Sequence, residues 1–467
     1  MRSADVITMA IEHFPAFLAQ REHALEMDAW HSPDTDDQER GPFVPPRHRV
    51  SEEYTDLAAR SHTPWLMLVI DTLAQTLFLD GVRRGSSTEN INAWRTWQQN
   101  GMDSRQIPLY DAALRHGVAY ASALPGRLAI TGEPAPILRP HSARTMSAFF
   151  TDDENDEFPY LAIKAQPTLV DGNGGRQPGW DVRIIDDQAT HYLLCRGLGE
   201  HPGDWEYLTY DEHGIGFTPV VAYVNRQVLD GRAIGEIEPF IPLTRRIGQD
   251  TFDRLIVQRF GAWKVRYIAG LARPENDSDE SSEKMRLAVE EILVSSNPAT
   301  KFGTLDASDI KQFIDAHDAD LRDYSATSQT PPFQMLGLSA NLQAESMQAA
   351  TEGLRRKSTQ RQVTFGESHE RLLRVSALMR GDMDEANAYD LQVRWRNMNP
   401  MPLSQAADAL GKLAVQVGVP QPMLLEMIPD WTDTDVARAL SLVQSGAIDE
   451  LLDELQGAAG GNLIGSR

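Results

Sequence analysis

Residues Asp306 to Arg380 limit what this chain can fold into more than any other stretch, because they read as two helices joined by a double proline. Ile310, Phe313, Ile314, His317, Leu321 and Tyr324 recur at the three-and-four spacing of one apolar helical face. Asp309, Lys311, Asp315, Asp318, Asp320, Arg322 and Asp323 stand between them, so the opposite side is charged and mainly acidic. In Gln329-Thr330-Pro331-Pro332-Phe333 the prolines lack backbone donors and push Thr330 out of helical geometry, which ends the helix. From Ala340 to Arg380 there is no proline, and about forty helical residues would span about 60 Å. Met347, Ala350, Leu354, Phe365, Leu372, Val375 and Met379 keep a loose helical register along that rod. Arg355 to Gln362 is polar all round and carries Arg355, Arg356, Lys357 and Arg361, so the rod must meet different surroundings along its length.

The chain has 467 residues, enough for roughly two to four domains with buried cores. Its net charge of −23 argues against a conventional nucleic-acid-binding surface, which would be basic. The single cysteine, Cys195, excludes an intramolecular disulfide and a cysteine-based zinc site, and is expected to be a small buried residue. Asp5 and Glu12 interrupt the apolar residues of Met1 to Phe17, unlike a signal peptide. The longest nearly uncharged run, Thr63 to Leu79, contains Asp71 and is short for a membrane span, so no membrane association is expected.

In chain order, residues 1–55 read as a helical segment with Ile7, Ile11, Phe14 and Leu18 on one face, followed by a polar connector draped on the surface. Tyr54 to Gly81 reads mostly as a buried helix begun near Thr63-Pro64, with Trp65, Leu68, Val69, Thr72, Leu73, Thr76 and Leu77 on its core face. Ile91 to Gly126 reads as a helical pair turning at Asn100-Gly101. From about Arg127 to Asn225 the pattern changes to short alternating strands at 127–131, 159–166, 181–186, 190–197, 205–212 and 219–225, a mostly antiparallel sheet. The glycine cluster at 171–175 lacks the lysine of a phosphate loop, and Asp152 to Glu157 lacks the glycine and glutamate of a calcium loop. Gly216 to Gly270 places a strand with a Pro-Val-Val core ending in Asn225 before a glycine-glutamate step, Gly235-Glu236, and a helix over 238–260. Residues 263–305 read as strand, helix from Ser281 or Ser282, and strand. A strand near Leu391 then precedes helices capped by Ser404 and by Asp433 or Thr434.

No His-Glu-x-x-His helix and no Gly-x-Ser-x-Gly elbow is present. A two-metal nuclease site would rest only on the abundance of acids, without spacing.

The helix, proline hinge and rod, together with the Gly216–Gly270 passage, resemble the portal protein of tailed bacteriophages of the siphophage type, actinobacteriophage examples included, over about residues 50–440. The resemblance implies an α+β fold with these parts: an N-terminal arm, 1–55; a wing, 56–237; a first stem helix, 238–262; an α/β clip, 263–305; a second stem helix, 306–328; a channel loop, 329–339; the wing's long helix and strand, 340–400; and a helical crown with a disordered tail, 401–467. It implies a dodecameric ring at one capsid vertex of the virion, with double-stranded DNA passing through, and no enzyme activity, cofactor or metal. The implied partners are the terminase large subunit, a head-completion adaptor, and the major capsid and scaffold proteins. A metal-dependent DNA-processing subunit and a non-viral ring scaffold are the alternatives.

Three sets of residues are expected to matter in such a ring. Asp309, Asp315, Asp318, Asp320 and Asp323 would repel phosphates from a channel wall within the roughly 10 Å Debye length, or else form an ordinary solvated face. Thr330, Pro331, Pro332, Phe333, Gln334 and Met335 would form the uncharged loop that approaches DNA, or else a buried turn with Phe333 in a core. Arg355, Arg356, Lys357 and Arg361 would meet the acidic surface of a neighbouring subunit, or else DNA inside the head.

Overall fold

The computed structural model describes residues 2–32, 52–85, 91–152, 155–172, 175–226, 228, 232–261, 266–269, 301–304, 310–337, 344–396, 403–428, 431 and 433–444. The chain divides into two units, one made of Met1–Asp28, Leu68–Glu238 and Thr351–Arg467, the other of Ala29–Met67 and Pro239–Ala350.

In the first unit, β4 (Met146–Phe149), β5 (Leu161–Gly172), β6 (Gly175–Ile185), β7 (Ala189–Arg196) and β8 (Trp205–Glu212) form an antiparallel meander in that order. Period-two alternation puts Leu161, Ile163 and Ala165 on one face with Val182, Ile184, Leu193 and Cys195. Val6, Ala10, Phe14 and Phe17 of α1 (Ser3–His31) cover that face, and all four are fully buried. The helical part of the expected arm is therefore bound to the sheet. Pro15 lies on the exposed side of α1, where its missing donor faces water. Gln20 fixes the end of this contact, donating to the carbonyls of Ala143 (3.0 Å) and Met146 (2.8 Å). Cys195 is buried, as expected, and burial pushes its thiol up to about 12.

A second sheet runs β3 (Pro134–Ser142), β2 (Val118–Arg127), β9 (Val220–Val224). The expected helical pair is α4 (Ile91–Gln99) and α5 (Met102–His116), but Val118–Arg127 is a strand. Its run of alanines favours helix by propensity, yet Ala119, Ala121 and Ala123 are fully buried beside a buried Tyr120 and Ser122, and packing on both faces overrides propensity. Gly117, at φ 89°, makes the break. The expected strand at 127–131 is in turn the connection between β2 and β3.

The helix expected to continue past Thr76 stops at α3 (Trp65–Ala74), preceded by α2 (Glu52–Arg60), and β1 (Leu79–Arg84) pairs antiparallel with β12 (Leu391–Trp395). Gln106 of α5 completes β1, accepting from the Leu79 amide (2.8 Å) and donating to the Leu79 carbonyl (3.2 Å).

The proline-free rod is one helix, α9 (Ala344–Arg380), of 37 residues, numbered after α6 (Ile241–Gly261), α7 (Ile310–Ser328) and α8 (Pro332–Leu336). Its stretch in the first unit buries Leu354, Phe365, Leu372, Leu373, Val375 and Ala377. His369 sits among Trp97, Tyr110 and Tyr223 without exposure. Tyr223 Oη lies 2.9 Å from Nδ1, Nε2 lies 2.7 Å from Tyr110 Oη, and Tyr110 donates to Gln106 Oε1 at 3.1 Å. That direction makes Nε2 the protonated nitrogen of a neutral ring. After α9 come α10 (Met383–Ala386), α11 (Leu403–Lys412) with a π-turn at Leu413–Val417, α12 (Gln421–Glu426) and α13 (Asp433–Gln444).

In the second unit, α2 packs Leu57 and Ala58 against Phe252, Leu255 and Ile256 of α6, and β10 (Arg266–Ala269) pairs antiparallel with β11 (Lys301–Thr304). The helix expected from Ser281 or Ser282 and the expected tail lie outside the described residues.

Burial lowers the pKa of His369 to about 3, below its ordinary 6.5. The unfolded chain therefore binds a proton that the folded chain refuses, and the stability present above pH 6.5 falls as pH drops through that window. His369→Phe should cost about 1–3 kcal/mol at neutral pH by stranding the buried Tyr223 hydroxyl and removing the bond that Tyr110 accepts. It should also flatten the pH dependence of urea unfolding between pH 6.5 and 4 by up to one proton, an effect a purely apolar contact would not give.

Candidate functional site

The acidic helix α7 lies antiparallel beside α6 within the second unit, and one side chain after another joins the two. Arg246 forks onto Asp320, with Nε to Oδ2 at 2.9 Å and Nη2 to Oδ1 at 2.6 Å. Thr244 Oγ1 donates to the Phe240 carbonyl (2.9 Å) and lies 3.3 Å from Tyr324 Oη, while the Phe240 and Tyr324 rings approach to 5.6 Å. Leu321, Tyr324, Ser325 and Ser328 are buried, which fixes the inward face of α7.

That face separates the acids expected to act together. Asp315 and Asp323 are exposed on the outer side, next to an exposed Arg322. Asp318 is half-buried on the flank, and Asp320 is spent on Arg246. Asp309 lies outside the described residues. On α6, burial raises Asp250 above the ordinary carboxylate range, and the neighbouring Asp320 and Asp253 add to it. Burial lowers the imidazole of His317 below its usual value despite the acids around it.

The double proline makes a folded turn. Gln329 adopts φ 58°, a left-handed conformation costing about 1 kcal/mol for a residue with a Cβ. Ser325 Oγ caps the Thr330 carbonyl at 2.7 Å, and Ser328 Oγ meets Thr330 Oγ1 at 3.0 Å. Pro332 then opens α8 from its first position, where no amide donor is needed, and Gly337 closes it at φ 64°. Thr330, Pro331 and Met335 are buried, Phe333 is half-buried, and Pro332 and Gln334 are exposed. Only part of the expected loop therefore presents itself to solvent.

The four cations of α9 do not share one surface. Arg355 and Arg356 are exposed and both pair with Glu352. Lys357 and Arg361 are buried on Glu236, with Lys357 Nζ 2.5 Å from Oε1 and Arg361 Nη2 3.1 Å from Oε2. Arg226 Nη2 reaches Oε1 at 3.3 Å, and Arg361 Nε donates to Asn225 Oδ1 at 2.6 Å. Burial alone would raise the Glu236 carboxyl, but Lys357, with Arg226 and Arg361, outweighs it and holds the group below its ordinary range. Two glycines bring Glu236 here. A Cβ on Gly117 would stand 2.8 Å from the Ala233 carbonyl, and one on Gly235 would collide with that of Arg115. This close approach lets the Glu236 amide reach the Leu114 carbonyl (2.7 Å) and the Asn225 amide the Gly117 carbonyl (2.8 Å). The sequence held a signal: Lys357 and Arg361 fall at core positions between Leu354 and Phe365, so their charge needs a buried counter-ion.

Residues 19–460 match the family model described as phage portal protein, SPP1 Gp6-like. Among solved structures, the chain is similar to one from the "Neck of native GTA particle computed with C12 symmetry", at 10% identity and a TM-score of 0.44, over 79% of this chain and 90% of that one. No curated protein matches.

Glu236→Gln leaves three cations crowded around a neutral group and should destabilise the first unit by about 3–5 kcal/mol. Lys357→Met, which leaves Arg361 and Arg226 on the carboxylate, should cost less than half of that. Denaturant unfolding of the two variants decides; equal costs would show that the charges do not act as a cluster.

Proposed function

The chain belongs to the SPP1 Gp6-like phage portal protein family, and on that premise we propose that α6 and α7 are its stem, with the outer side of α7 turned to the DNA channel. A portal protein stands at the capsid vertex of the virion, and viral DNA passes through it during packaging and ejection; its role is structural and not enzymatic. In our reading the chain closes into a dodecameric ring and is of the siphophage type, similar to actinobacteriophage portals through its Gly216–Gly270 passage. The divisions are those set out from the sequence: wing over 56–237 and 340–400, stem over 238–262 and 306–328, clip over 263–305, channel loop over 329–339, and crown from 401. The terminase large subunit and the head-completion adaptor dock on the clip, and capsid and scaffold proteins meet the wing.

The observation that carries this is the sorting of charge across α7. Asp320 is paired with Arg246, whereas Asp315 and Asp323 are exposed on the side away from the helix pair. A wall of fixed anions repels phosphates over about one Debye length and gives a sliding duplex nothing to grip, where a basic wall would hold it by counterion release. The hinge adds an uncharged edge, with Pro332 and Gln334 exposed and Phe333 half so. Arg355 and Arg356 remain as the cations for a neighbouring copy; Lys357 and Arg361 serve the fold of their own chain.

Replacing Asp315 and Asp323 together by lysine should leave rings intact on electron micrographs and slow DNA packaging several-fold, with the loss eased by added salt. Packaging at the wild-type rate would mean that these residues do not face DNA. Phe333→Ala should keep ring assembly and impair packaging or retention of DNA. Loss of the ring itself would place Phe333 in a subunit core instead.

A further inference from the structure

A cavity of about 610 Å³ opens in the first unit between the end of α3 and α5, walled by Leu77, Phe78 and Ile107 and carrying the carboxylates of Asp71 and Asp111. The size lies within the range of pockets that enclose a small ligand, with ample room for a side chain. Ile107 is 56% exposed among the described residues, an apolar surface on the pocket's rim. Asp111 pairs with Arg115, while Asp71 sits half-buried and among the described residues forms no ion pair; burial and Asp111 raise its carboxyl above the ordinary range, and Arg115 offsets this in part. Arg396, also on the wall, is committed to the face of Phe78 (4.2 Å) and to Asp80. The pocket thus offers a largely apolar slot ending in a carboxylate that makes no ion pair among the described residues, which suits a long aliphatic stem with a cationic head.

The same unit supplies such a side chain, facing the other way. Ser358 Oγ of α9 lies 2.7 Å from Thr76 Oγ1 on the pocket wall, so Ser358 marks the side of α9 turned to the pocket. At ~100° per residue, Arg356 lies ~160° round from Ser358, on the far side of the helix. Its side chain is 77% exposed and, among the described residues, is held by Glu352, a surface pair of little strength. One chain cannot bring the two together, but a head-to-tail ring joins unlike flanks of successive copies. We propose that the Asp71 pocket of each copy receives Arg356 of the next, a charge-matched contact around the ring. This rests on the ring reading above and names both halves of one subunit contact.

The test is a charge-swap cycle on the full-length protein, with Arg356→Glu, Asp71→Arg and the double variant compared by native mass and sedimentation. Each single reversal should lower the apparent association constant about tenfold or more, and the double should recover most of it. The neutral pair Arg356→Gln and Asp71→Asn, which reverses no charge, should give losses that do not add. Thermal unfolding of each variant separates lost assembly from lost folding. Rings whose losses simply multiply, or single variants that assemble like the wild type, overturn this contact and leave the ring reading standing. A wild-type chain that stays single-copy at every concentration removes both.

Discussion

Lys357 and Arg361 cannot leave water without a counter-ion, and Glu236 supplies it at the one place where three separate parts of the chain can meet. The carboxylate arrives through the close approach of Gly117 and Gly235, which also joins the end of α5 to the strand ending in Asn225. Placing Glu236 therefore sets the rotation of α9 about its axis. Once that is set, Ser358 must face Thr76, Phe365 and His369 must enter the aromatic core, and Arg355 and Arg356 must face out. A purely apolar seam would tolerate slippage by a turn, whereas two cations on one carboxylate do not.

The long elements were legible because periodicity is strongest where a helix or strand is long. The rod, α6, α7, the strands β7, β8 and β9 and the Leu391 strand stand close to where the sequence put them, whereas β3 and β4 were not expected and β5 and β6 reach further toward their turn than the alternation indicated. The two strands read as helix share a cause. Ala119–Ala123 and Leu79–Val82 are buried at every position, so they lack the alternation that marks a half-buried strand, and the alanines of the first and the apolar run leading into the second read as helix. The N-terminal helix was seen, but not its docking, because an apolar stripe records that a face is covered and not what covers it.

The candidate site was legible as composition more than as geometry. Counting acids on α7 found the charged side but could not tell Asp320, bound to Arg246, from Asp315 and Asp323. Four cations in eight residues looked like one patch, and helical rotation divides them into a buried pair and an exposed pair. The proline hinge was expected as a loop and is instead a capped turn, because Ser325 and Ser328 satisfy Thr330 from within.

Cys195 gives the molecule a practical property. It is the chain's only thiol, sealed beneath α1 and kept protonated, so alkylating reagents find almost no thiolate to attack in the folded protein. A cysteine introduced at Asp323 or Gln334, both solvent-facing, becomes a single addressable label without prior removal of the native one. A fluorophore there would report on its own surroundings, with the protein's inert sulfur as the silent background.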